Sequence, residues 1–161
     1  MSTNVTSAVH FPKLVEENRA RIFSFKSLVE TLNALIEAPS LADVDGWLSR
    51  VKVTSDDLRP YRFFKQGTYA RHRVCRSEFA ELLVLCWRPG QRTPIHDHNG
   101  SYGAVRVCEG VMWETVFALN DERELCYKSA REWHEGLVTA ADVPDIHQIG
   151  NPEVSGQDLV T

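Results

Sequence analysis

At Tyr61 the spacing of the apolar residues changes, and that change restricts the architectures open to this chain. Before it, Leu14, Ile22, Phe25, Leu28, Leu32, Leu35 and Ile36 recur at helical spacing over residues 13–37. Pro39 and Ser40 stop that run. Leu41–Val51 reads as a second, shorter helix with Trp47 and Leu48 turned inward, and Thr54–Leu58 as the start of a third, ended by Pro60. After Tyr61 the period falls toward two. Tyr69–Val74, Ala80–Trp87, Tyr102–Glu109, Val111–Leu119 and Leu125–Tyr127 read as strands separated by turns, with Gly110 as a hairpin turn between two of them. Phe63, Phe64, Trp113 and Phe117 are expected in the core. No repeat, low-complexity tract or linker interrupts the 161 residues, so one domain is expected over 1–161: a helical cap over 1–60 and a β-barrel over 61–161.

Charge and hydropathy narrow the partners. A net charge of −4 with no basic stripe gives no footprint for nucleic acid. The longest apolar runs, such as Leu82–Trp87, are far too short to cross a bilayer, so no membrane partner is expected. The first residues lack a basic stretch followed by an apolar one, and a cytoplasmic location is expected. Cys75, Cys86, Cys108 and Cys126 form no Cys-x-x-Cys pair and are expected to stay reduced there. Cys86 and Cys108 read as small core residues.

The chemistry is concentrated in three histidines. His96 and His98 stand two apart, and on a strand residues i and i+2 share a face, so both imidazoles can enter one cavity. His147 follows far down the chain in Pro144-Asp-Ile-His-Gln-Ile-Gly-Asn151. A single buried histidine is usually a hydrogen-bonded core residue. Three neutral imidazoles around one point instead suit a divalent transition metal with coordination positions left open. Gly90 lies six residues before His96 and Gly110 closes the segment; Gly136 and Asn151 frame His147.

In that frame the segment resembles the first cupin motif, Gly-x5-His-x-His-x3-4-Glu-x6-Gly, at Gly90, His96, His98 and Gly110, with Gly103 where the motif has its glutamate. The second motif is matched at Gly136, His147 and Asn151, with Asp142 and Pro144 in place of its Pro and Gly. A three-histidine cupin without the glutamate resembles the thiol dioxygenases, cysteine dioxygenase first among them. Leu83-Val-Leu-Cys-Trp-Arg-Pro-Gly90 with Ile95-His-Asp-His98 is very similar to that family's Cys-Trp…His-Asp-His stretch, and Tyr69-Ala-Arg71 matches its Tyr-x-Arg. The resemblance covers roughly residues 60–155, and the chain is similar to bacterial-type members in having Gly103 where others carry a cross-linking cysteine. It implies a mainly β fold, a cupin-type double-stranded β-helix (jelly-roll) barrel with the helices as an N-terminal cap. It implies Fe(II) on His96, His98 and His147, with L-cysteine bound through sulfur and amine and oxidised by O2 to cysteine sulfinate. Three neutral histidines leave the iron its full charge, which a thiolate substrate then offsets. Arg71 would hold the substrate carboxylate through its planar fork, where the bland alternative is a surface ion pair, and Tyr69 would add a hydroxyl contact.

Other histidines fall outside that set. His72 would face away, His134 would sit in an exposed loop and His10 in an unstructured tail, while Asp97 would stabilise a turn. A sibling activity on 3-mercaptopropionate is the nearest alternative; a Gln commonly stands at the Arg71 position in that group. A further departure is expected at the C-terminus. The family's later Ser-x-His-x-Tyr strand should begin near Thr161, so the barrel would be incomplete there, with an exposed sheet edge. Monomers follow from the resemblance, and self-association over that edge or a metal-binding cupin without turnover are the outcomes the missing strand would allow.

Overall fold

The computed structural model describes residues 23–141 and 146–161. Leu14, Ile22, His10, Asp142 and Pro144 lie outside the described residues. The described chain begins with β1 (Phe23–Ser24) and runs directly into α1 (Phe25–Asn33), whose N-terminus is capped by the Ser24 hydroxyl accepting from the Ser27 amide. α2 (Leu41–Arg50) opens on a capping box: Ser40 accepts from the Asp43 amide and the Asp43 carboxylate accepts from the Ser40 amide. Its last carbonyls are met from the barrel, where Arg106 Nη1 donates to Leu48 O at 2.8 Å. β2 (Val51–Lys52) pairs parallel with β1. α3 (Ser55–Leu58) starts on a second capping box, Thr54 with Asp57. The chain then passes into a 3-10 turn over Arg59–Tyr61, in whose first turn Pro60 fits because its missing N–H would be unpaired there anyway. Leu28, Leu32, Trp47 and Val51 bury together as the core of this cap, with Leu48 and Leu82 packed at its margin. Ile36, expected to continue the apolar stripe, lies past the end of α1 and is 80% exposed.

The remaining elements are strands: β3 (Ala70–Arg76), β4 (Glu81–Trp87), β5 (Gly103–Arg106), β6 (Val111–Leu119), β7 (Leu125–His134), β8 (Val138–Ala141), β9 (Ile146–Gly150) and β10 (Leu159–Val160). They form antiparallel sheets in the orders β10-β4-β3, β5-β8 and β7-β6-β9. This is the cupin-type double-stranded β-helix implied by the sequence resemblance, with a helical cap at its N-terminal end. Gly110 is not the hairpin turn expected of it. β5 pairs with β8 and β6 with β7 and β9, so the chain changes sheets at Gly110. Its φ is 85°, and a Cβ there would lie 2.6 Å from Asp158 O and 3.2 Å from Leu159 Cα. Close passage of the returning chain, rather than a tight reversal, requires glycine at this corner.

Alternation along the strands separates two further cores. Trp87, Met112, Val107, Ile149 and Leu159 fill the barrel, with Tyr69, Leu85 and Trp133 against them. Ala70, Val84, Cys86 and Val160 form the other face of the same sheet and pack on Leu58 of the cap. β4 is covered on both faces, which is why Leu82–Trp87 reads as one continuous apolar run. Two aromatics expected inside are not. Trp113 points opposite to Met112 and Glu114, is 43% exposed, and donates Nε1 to Glu132. Phe63 is 62% exposed and meets the edge of His72. Phe64 stays at the core margin between the guanidiniums of Arg62 and Arg88, and Phe117 is half-buried. No helix among the described residues is long and apolar enough to cross a membrane.

Candidate metal centre

The site is built around β9. One side of β9 pairs with β6, in the register Glu114↔Ile149 and Val116↔His147. Along its other side runs the segment 91–96, joined by single bridges rather than a continuous ladder: Arg92↔Gly150 and His96↔His147. The amide of Thr93 donates to Ile149 O at 2.8 Å, and His96 and His147 exchange both backbone hydrogen bonds, at 3.0 and 2.9 Å. Gly150 permits this approach, since a Cβ there would lie 2.5 Å from Gln91 O and 2.8 Å from Arg92 Cα. Asn151 is buried at the end of the strand. Its amide nitrogen donates to Trp87 O and Gln157 O, and its oxygen accepts from Ser155 Oγ, so it ties the end of β4 to the turn that follows β9.

His96, His98 and His147 come together as the sequence pattern suggested, with one ring nitrogen of each within 4.8 Å of the others. The route differs from a regular strand. His96 sits on a lone bridge, and beyond it the chain turns at Asn99 and Gly100, where φ is 46° and 82°. Asp97 Oδ1 accepts from the Asn99 amide and Ser101 Oγ donates to His98 O at 2.6 Å, which fixes that turn. Gly103 stands beside His98, whose Cε1 would be 3.9 Å from a Cβ at that position.

The donor set fits a metal. His96 Nδ1 lies 3.0 Å from Pro94 O and His147 Nδ1 lies 3.0 Å from Glu114 Oε1. Both acceptors can only receive a hydrogen, so each contact is a hydrogen bond when the ring carries its hydrogen on Nδ1. His98 Nε2 and His147 Nε2 are 3.2 Å apart. Two nitrogens each about 2.1 Å from one ion are separated by roughly 3.0–3.4 Å for angles between square and tetrahedral.

Sequence reasoning missed Glu114. It is buried on β6 between Met112 and Val116 on the inward face, an acidic residue at a position where alternation calls for an apolar one. That mismatch was the available signal. Oε2 accepts from Trp133 Nε1 at 2.8 Å and from Thr139 Oγ1 at 3.5 Å, and Arg131 Nε lies 3.7 Å away. Burial pushes the carboxyl up, but the hydrogen bonds from His147 and Trp133 and the charges of His147 and Arg131 hold it below its ordinary value.

Tyr69 packs flat on Trp87, with centroids 4.0 Å apart and planes 13° apart. Arg71 pairs with Leu85, which puts it on the face of the sheet shared by Leu85 and Tyr69. Its side chain is exposed and has no ion-pair partner among the described residues. His72 lies on the opposite face, with Nε2 2.8 Å from Phe63 O. His134 ends β7 rather than lying in a loop, 3.5 Å from Glu132. All four cysteines are unpaired; Cys86 is fully buried and Cys126 exposed.

A family model described as "Cysteine dioxygenase type I" matches residues 16–157. Cysteine dioxygenase type 1 of Bos taurus is 35% identical over 130 residues, covering 77% of this chain and 65% of that protein. The same protein of Homo sapiens is 35% identical over 95 residues, covering 56% of this chain and 48% of its own length. The chain thus spans about half to two thirds of the length of the curated relatives it matches. Among solved structures, TT1209 from Thermus thermophilus is 24% identical with a TM-score of 0.47, over 65% of this chain and 88% of that one.

Proposed function

The chain belongs to the cysteine dioxygenase type I family, and we propose on that premise that it is a mononuclear non-haem Fe(II) thiol dioxygenase converting L-cysteine and O2 to cysteine sulfinate. The observation that carries this reading is the convergence of three imidazoles, two of them with Nδ1 at hydrogen-bond distance from an acceptor. His96, His98 and His147 hold the metal. Bound Fe(II) supplies the redox chemistry with O2 and favours the thiolate form of the substrate. The reaction adds both atoms of O2 to one sulfur, RSH + O2 giving RSO2H, so no external reductant enters.

The protein's own work is selection and placement. Arg71 receives the α-carboxylate through two parallel, charge-assisted hydrogen bonds, and its lack of an ion-pair partner among the described residues leaves the fork available. An arginine here favours cysteine over 3-mercaptopropionate, for which the sibling enzymes commonly place Gln. Tyr69, held by its stack on Trp87, lends a hydroxyl two residues away. Trp87, Met112 and Ile149 fill the barrel interior and give the centre a dry, apolar backing.

The test is iron content and sulfinate formation on the purified chain loaded anaerobically with Fe(II), then supplied with cysteine and O2. One iron per chain and one sulfinate per O2 consumed are expected. Arg71→Ala should keep its iron and raise KM for cysteine about 10- to 150-fold, the equivalent of roughly 1.5–3 kcal/mol for a charge-assisted bond. Preference for 3-mercaptopropionate would reassign the substrate. Iron binding without sulfinate from either thiol would make this a metal-binding cupin rather than an oxygenase.

A further inference from the structure

We infer that Glu114 is a positioning residue that sets the tautomer of His147: a carboxylate with only acceptor oxygens keeps the ring hydrogen on Nδ1 and presents a bare Nε2 to the metal point. The inference rests on the three-histidine reading for its purpose, but the tautomer can be read without any metal.

The surroundings of Glu114 leave this carboxylate little chemical choice. Trp133 Nε1 at 2.8 Å is a donor and nothing else. Arg131 at 3.7 Å is likewise donor-only, and Thr139 Oγ1 at 3.5 Å is a hydroxyl that can turn either way. His147 Nδ1, at 3.0 Å from the other oxygen, is the one nitrogen in the set that can either donate or accept. Facing an acceptor, it must donate. The cupin motif's own glutamate is absent, its place taken by Gly103, and the site's carboxylate stands one residue behind the ligands instead of among them.

An amide of the same shape reverses this logic. In Glu114→Gln, one end becomes an NH2 donor. Set against Trp133 Nε1, that end would face a second donor at hydrogen-bond distance inside the barrel wall, leaving two buried donors opposed with no acceptor between them. The amide therefore gives its oxygen to Trp133 and its NH2 to His147. Nδ1 becomes an acceptor, the ring hydrogen moves to Nε2, and that hydrogen occupies the direction a metal needs. Removing the indole donor releases the constraint. In Glu114→Gln with Trp133→Phe, the NH2 can face Thr139 and the oxygen can return to His147.

The experiment is long-range 1H–15N correlation of the imidazoles in metal-free protein at about pH 8, above the ordinary imidazole range, with zinc titration calorimetry on the same samples. Expected are Nδ1–H at His147 in the wild type and in Trp133→Phe, Nε2–H in Glu114→Gln, and Nδ1–H again in the double variant. Zinc affinity should fall about 10- to 100-fold in Glu114→Gln and return largely in the double variant. A wild-type His147 carrying its hydrogen on Nε2 overturns the inference with no variant needed. So does Glu114→Gln that keeps Nδ1–H, or a double variant that recovers neither tautomer nor affinity, which would assign the effect to lost charge. If every tautomer falls as expected and the wild type takes up no metal, the inference stands and the metal reading fails.

Discussion

Replacing Gly150 by Ala tests whether the close passage of segment 91–96 along β9 builds the site. The added Cβ would stand 2.5 Å from Gln91 O, 2.7 Å from Arg92 Cβ and 2.8 Å from Arg92 Cα. Ordinary contact begins at 3.4 Å, so the carbonyl must retreat by about 0.9 Å, the difference between 3.4 and 2.5. Nothing soft absorbs that movement, because two of the three atoms are backbone. The bonds on either side, Asn151 N to Gln91 O at 2.9 Å and Thr93 N to Ile149 O at 2.8 Å, would stretch together. Overpacking of this kind costs about 1–3 kcal/mol, or roughly 2–12 °C in Tm for a chain of this size. The metal should feel it more. His96 lies four residues beyond Arg92 on the displaced segment, while metal–ligand distances tolerate only about 0.2 Å. Zinc affinity should therefore fall at least about tenfold, roughly 1.4 kcal/mol. The control is Gly103→Ala, whose Cβ would meet nothing nearer than His98 Cε1 at 3.9 Å. Calorimetric titration with zinc and thermal unfolding, run on both variants and the wild type, give the comparison. Gly150→Ala that melts within a degree of wild type and binds zinc within twofold would show that the bridge is not what sets His96.

Gly110→Ala should show the converse pattern. Its φ of 85° and the 2.6 Å approach to Asp158 O combine backbone strain with overlap, so a loss of about 2–4 kcal/mol is expected, with faster amide exchange at Glu109 and Val160 and a smaller change in zinc affinity than Gly150→Ala produces. Burial pushes the Cys108 thiol up to about 11, so folding favours its neutral form. That contribution is complete below the unfolded thiol's ordinary range and is lost as the pH climbs toward about 11. Wild type should lose on the order of 2–3 kcal/mol over this interval relative to Cys108→Ala, read by denaturant unfolding, and at pH 8 a thiol reagent should modify exposed Cys126 well before Cys108.

The clustering of the three histidines was legible because one residue type recurs at constrained spacings, and Val111–Leu119 was legible to the residue because β-branched and aromatic residues fill it between Gly110 and the turn at Asn120. β8, β9 and β10 were not read as strands. Two are only four and two residues long, and β9 is interrupted by His147 and Gln148, residues placed for the site rather than for strand propensity. Gly110 misled because a positive-φ glycine serves a hairpin and a sheet-crossing corner equally well, and the atoms that distinguish them, at Asp158 and Leu159, lie nearly fifty residues away. Trp113 misled for a related reason: an aromatic is a core residue only on the inward half of the alternation, and Glu114 beside it holds the inward place. Reading Glu114 as a surface residue would have made Trp113 buried. The two errors are one phase choice, which the acidic residue's role decides and hydrophobicity cannot.

The lone bridges that carry His96 also govern time. His147 is seated in the barrel core and held from behind, whereas His96 and His98 are half-buried on a segment tied down at separate points, followed by a turn with two left-handed residues. Parting the two backbone hydrogen bonds at His96 would loosen the segment that carries two of the three clustered histidines without breaking the β6–β9 ladder. Such an excursion is a local opening, far less costly than unfolding the whole molecule. Exchange of a bound ion would then follow the lifetime of that small opening, with the His147 amide exchanging alongside it.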